Sequence, residues 1–115
     1  MKLGTIGKLS TLELGGCPGL KTLDLRKQTK LMELIVSGAP ICELDLKKQG
    51  ELRRIEISGT KLKRLDLTGT KLTKEALLNY KGHCCVDDKN IEIVFANGEK
   101  MISPVDSYDW KRNSR

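Results

Sequence analysis

Aromatic side chains are nearly absent. Phe95, Tyr80, Tyr108 and Trp110 are the only ones in 115 residues. A chain with so few rings must build its core from aliphatic side chains. No aromatics interleave with the basic residues of the repetitive first part of the chain, so no base-stacking platform is apparent and the pattern argues against nucleic acid as a partner. Histidine occurs once, at His83. No Ser/His/Asp set, paired acid and base, or Gly-rich phosphate loop is present, so the expectation is a protein that is not an enzyme and uses no cofactor. There is no apolar run long enough for a membrane span. Met1 to Gly7 contains no apolar stretch of the kind a signal peptide needs, so no signal peptide is visible.

Cysteine is present but not in a metal-binding rhythm. Cys17, Cys42, Cys84 and Cys85 show no C-x-x-C spacing. Zinc held by His83, Cys84 and Cys85 is disfavoured, because adjacent ligands have poor geometry and a fourth is missing. No metal site is therefore expected. Cys84 and Cys85 could bridge each other only with strain. Four unpaired thiols favour a reducing compartment.

A short phrase recurs instead. It reads Leu9-x-x-Leu12-x-Leu14, then Leu20-x-x-Leu23-x-Leu25, Leu31-x-x-Leu34-x-Val36, Ile41-x-x-Leu44-x-Leu46, Leu52-x-x-Ile55-x-Ile57 and Leu62-x-x-Leu65-x-Leu67. Leu72 opens a seventh phrase. The starting positions, from Leu9 through Leu20, Leu31, Ile41, Leu52 and Leu62 to Leu72, are almost evenly spaced. In a strand, i and i+2 share a face, so Leu23 and Leu25 point inward while Asp24 points to water. The spacers are too short for a normal helix and read as corners. A longer period is nested in the first, because Leu-Asp-Leu returns at 23–25, 44–46 and 65–67. The predicted unit is a coil of about 21 residues with two short strands on opposite walls, stacked about three times. Both Leu44 and Leu65 are then expected to line the interior.

This pattern resembles the leucine-rich repeat family. The phrase L-x-x-L-x-L-x-x-N/C/T-x-L is matched at Ile57-Ser58-Gly59-Thr60-Lys61-Leu62 and at Leu67-Thr68-Gly69-Thr70-Lys71-Leu72. The position usually held by Asn or Cys is here Cys17, Gln28, Ala39, Gln49, Thr60 and Thr70, so the ladder of Asn is missing. The nested coil, with its half-repeats, is similar to a short bacterial variant. The resemblance implies a leucine-rich repeat solenoid of parallel strands over residues 9–72 and a non-catalytic module for protein–protein interaction. It also implies a cell-surface or secreted protein, against which the thiols and the absent signal peptide set a cytoplasmic location.

Outside the repeats, residues 1–8 form a partial N-terminal coil or cap. Residues 73–106 form a C-terminal cap. In it, Thr73 is an N-cap, Ala76-Leu77-Leu78 a short helix, and Ile91 to Phe95 and Lys100 to Ile102 a hairpin about Asn97-Gly98. Residues 107–115 are a basic tail. The scanty N-terminal cover predicts that the first coil is covered either by further residues or by another copy of the chain, in self-association through that end.

The expected partner-binding face is the outward set of one wall: Thr22, Asp24, Arg26, Glu43, Asp45, Lys47, Arg64 and Asp66. The Asp column at 24, 45 and 66 is read as solvent-facing consensus, because three carboxylates on flat sheet offer too few convergent oxygens for calcium. The net charge of +6 allows an alternative, a basic surface for nucleic acid or another acidic partner, or a structural spacer.

Overall fold

The structure, a computed structural model, describes residues 10–25 and 28–107. The partial N-terminal coil at 1–8, Leu9, Arg26, Lys27 and the tail after Ser107 lie outside the described residues.

One sheet carries five strands. Its first three are β1 (Thr11–Gly15), β2 (Glu33–Ser37) and β3 (Arg54–Ser58), side by side and parallel. Thr11 faces Glu33 and Glu33 faces Arg54, so the strands repeat at close to the period of the Leu-Asp-Leu phrases. Alternation decides which side is buried. Leu12, Leu34 and Ile55 point inward, as do Leu14, Val36 and Ile57, while the residues between them face out. A parallel pair needs a long return connection, and the stretch 16–32 supplies it between β1 and β2.

Each of these strands is followed at once by a glycine with positive φ. Gly16, Gly38 and Gly59 have φ of 62°, 72° and 64°. Gly38 and Gly59 stack so closely that a Cβ on Gly59 would sit 2.9 Å from the Gly38 nitrogen. Only glycine satisfies both demands.

The opposite wall differs from the expectation of paired strands in every coil. Only the third Leu-Asp-Leu region forms a strand, β4 (Arg64–Asp66). Asp24 makes a single bridge and residues 44–46 form no strand. The Lys47 N–H is taken by the Asp45 carboxylate at 3.0 Å, as the Thr68 N–H is by Asp66 at the end of β4, so this corner is common to both segments and does not account for the missing strand. Leu44 is only partly buried, whereas Leu65 is wholly buried.

Helix α1 (Lys74–Leu78) follows, with the Thr73 hydroxyl accepting the Ala76 N–H at 3.0 Å and Leu77 and Leu78 buried. The chain then returns to both walls. Strand β5 (Cys85–Val86) adds parallel to β3, and β6 (Glu92–Val94) adds parallel to β4. Glu56 now faces Cys85 and Arg64 faces Glu92, so this last segment is longer than the spacing between β1, β2 and β3 by the insertion that holds α1. β7 (Lys100–Ile102) pairs antiparallel with β6, and β8 (Val105–Asp106) with β5. The sheet orders are β1-β2-β3-β5-β8 and β4-β6-β7. Among the described residues, the buried core cluster between them is aliphatic apart from Phe95 and Cys84.

Several residues at the ladder positions bond to the backbone of the corners. Gln49 is buried and donates from Nε2 to the Leu25 carbonyl at 2.8 Å. Thr70 donates to the Leu67 carbonyl at 2.7 Å and accepts the Leu72 N–H at 3.0 Å. Thr60 is held by Asp88, whose carboxylate also accepts the Gly59 and Thr60 N–H groups at 2.7 and 2.9 Å.

Candidate functional site

The outward residues of the Leu-Asp-Leu side come together as one band. Thr22, Glu43, Asp45, Lys47 and Arg64 are exposed, and Asp24 and Asp66 are half-buried. Arg26 lies outside the described residues. Three adjoining depressions run along the band and all share Glu43. One of 340 Å³ is lined by Thr22, Asp24, Glu43 and Asp45. One of 250 Å³ is lined by Glu43, Asp45, Lys47 and Asp66. The largest, 740 Å³, has Lys61, Lys63 and Arg64 facing Glu43 and Asp66, with Leu44 in its lining. It lies where the two segments fail to pair as strands.

The aspartates of this band do more than face water. Asp66 Oδ1 accepts both the Thr68 hydroxyl at 2.7 Å and the Thr68 N–H at 3.0 Å. These two bonds, the hydroxyl first, hold the Asp66 carboxyl below its ordinary range. Asp45 makes the same backbone contact with Lys47. The carboxylate therefore shapes the corner as well as the surface.

A second constellation lies on the outer face of the five-stranded sheet. Thr11 donates to Glu33 Oε1 at 2.9 Å, and Arg54 donates to Glu33 Oε2 at 3.2 Å. The same guanidinium reaches Glu56 Oε2 at 3.1 Å and the His83 carbonyl at 2.7 Å. Glu56 Oε1 meets His83 Nδ1 at 2.9 Å, and His83 Nε2 meets Asp106 Oδ2 at 3.0 Å. One polar chain thus runs across the sheet from β1 to β8. The hydrogen bond that the His83 ring donates to Asp106 raises His83 above the usual imidazole range; desolvation opposes this, and the charges of Asp106 and Glu56 reinforce it.

Cys84 and Cys85 part company here. Cys84 enters the core, where its sulfur accepts the Ile55 N–H at 3.4 Å and burial pushes the thiol up to about 11. Cys85 turns to the other face. Its Sγ, a Glu56 oxygen and a His83 ring nitrogen all lie within 4.8 Å of one another. Burial, followed by the charges of Asp87, Glu56 and Asp106, pushes this thiol up to about 12. The sequence shows His83-Cys84-Cys85 but carries no signal that Glu56 or Asp106 stands beside it. That juxtaposition comes from register, in which Cys85 has Glu56 and Asp106 as its direct cross-strand neighbours.

A cleft of 820 Å³ separates α1 from β2 and β3. Its lining mixes Glu33, Arg53, Arg54, Glu75, Tyr80 and Lys81. Its hydroxyl-bearing Thr73 is committed to capping α1.

No helix among the described residues is long and apolar enough to cross a membrane. No protein-family model, no curated protein and no solved structure matches the chain.

Proposed function

We propose that this chain is a non-catalytic interaction module of leucine-rich-repeat type, which binds a protein partner through the Leu-Asp-Leu side. The observation that carries this reading is the continuous band of depressions built on Thr22, Asp24, Glu43, Asp45, Lys47, Arg64 and Asp66. It offers charges of both signs beside a partly exposed leucine, a mixture suited to a protein surface. The other sheet face is instead cross-linked by its own side chains, from Thr11 to Asp106. The net charge of +6 and the cluster Lys61, Lys63 and Arg64 support an acidic partner as the second reading.

A random peptide library selected against the whole chain tests this. Recovered peptides should bind a Lys63→Glu/Arg64→Glu variant about tenfold or more weakly, a loss of about 1.4 kcal/mol at least. An Arg53→Glu/Lys81→Glu variant, altered on the α1 cleft, should bind them as the parent does. Equal loss in both variants, or none in the first, rejects the band as the binding surface. Competition by an oligonucleotide with steep salt dependence would favour nucleic acid instead.

A further inference from the structure

We propose that Glu56, His83 and Cys85 form a binding site for a zinc-class divalent transition-metal ion, with Asp106 holding the histidine ring. The donor set is the first reason. A carboxylate, an imidazole and a thiol are the groups such ions take, whereas magnesium and calcium take oxygens. Geometry is the second. The three donor atoms already lie within 4.8 Å of one another. Zinc bonds of about 2.0–2.3 Å place tetrahedral ligands roughly 3.3–3.8 Å apart, so closure needs side-chain movement of about 1 Å.

The fold explains why these residues meet. His83 and Cys85 are two apart along an extended segment and so project to one side, while Cys84 between them projects to the core. Glu56 is the direct neighbour of Cys85 on β3. Backbone and side-chain bonds already fix the surroundings. Arg54 holds the His83 carbonyl at 2.7 Å and Glu56 Oε2 at 3.1 Å, which leaves Glu56 Oε1 directed at the site. Asp106 sits 3.0 Å from His83 Nε2, the place from which a carboxylate orients a metal-binding imidazole. The ion would take His83 Nδ1, Cys85 Sγ and Glu56 Oε1, with water in the fourth position.

Binding balances in charge. The ion brings two positive charges; the Cys85 thiol loses its proton to solvent and becomes the thiolate ligand, and Glu56 adds the second negative charge. Nδ1 binds through its lone pair, and a proton carried there leaves to solvent as well. Nε2 keeps its proton and donates it to Asp106.

Cobalt(II) titration of the whole chain under reducing conditions is the test. A thiolate-to-cobalt charge-transfer band in the near ultraviolet should grow to one equivalent and be displaced by zinc, while magnesium produces no change. The band should vanish in Cys85→Ser and persist in Cys42→Ser. His83→Gln and Glu56→Gln should each weaken binding at least about tenfold, and Asp106→Asn by about 10–100-fold with the band retained. Should Cys85→Ser lose its folded circular dichroism, the affinities of the His83 and Glu56 variants decide. Absence of a band at millimolar cobalt, a band that survives in folded Cys85→Ser, a band lost in Cys42→Ser, or unchanged affinity in both His83→Gln and Glu56→Gln would overturn the proposal.

Discussion

Asp66 shows how one side chain serves corner and surface together. Its oxygen takes two bonds from Thr68, and these favour the ionised form. The folded carboxyl therefore titrates below its ordinary value of 3.8. A depressed group contributes stability that is present above the unfolded pKa and is lost as pH falls through the folded one. Asp66 should stay charged when most surface carboxylates have begun to protonate. Thr68→Val removes the hydroxyl but keeps the N–H bond, and should move the titration part of the way towards 3.8, as followed by the Asp66 carboxyl chemical shift; an unchanged midpoint would remove the Thr68 hydroxyl as a cause. The doublet Leu-Asp was legible in the sequence, and its solvent exposure could be inferred from strand alternation. The bond to residue i+2 was not, because it depends on the chain turning there.

At the level of elements, the two walls are unequal, and equivalent leucines diverge in consequence. Leu65 stands on β4, pairs with Ile93 and is wholly buried. Leu44 occupies the same place in the repeat, yet residues 44–46 form no strand and Leu44 is partly exposed. Leu65→Asp puts a charge into an aliphatic core with no partner. It should cost several kcal/mol, on the order of the whole stability of a small domain. Leu44→Asp can keep its carboxylate in the 740 Å³ depression and should cost only about 1–2 kcal/mol. Urea unfolding of the two variants compares them directly. Equal losses would mean that the depression closes in solution.

On the scale of the whole molecule, the last segment completes both walls with one excursion. β5 extends the first sheet, β6 the second, and α1 lies in the insertion that lengthens this segment beyond the spacing of β1, β2 and β3. Asp88 joins this segment to the corner after β3 by taking the Gly59 and Thr60 N–H groups and the Thr60 hydroxyl. Asp88→Ala leaves all three donors without that acceptor. The loss should be about 2–3 kcal/mol, and the amides of Gly59 and Thr60 should exchange sooner than those of β1. Exchange at Gly59 and Thr60 unchanged by Asp88→Ala would show that Asp88 is not a clamp.

The period was written in the chain. Leu12, Leu34 and Ile55 can be aligned by eye, and they are Cα partners in neighbouring strands because parallel strands of equal pleat must put equal positions opposite one another. The short helix after Thr73 and the turn at Asn97-Gly98 were likewise local matters, decided by a cap and a glycine. Tertiary structure alone decided that Cys85 leaves the core while Cys84 enters it. It alone brought Glu56, far upstream on β3, and Asp106, far downstream on β8, to the same side chain. Sequence periodicity states which face a residue takes within its own repeat. Cys85 lies in the last, irregular segment, and only hydrogen-bonded register across β3, β5 and β8 could set its neighbours.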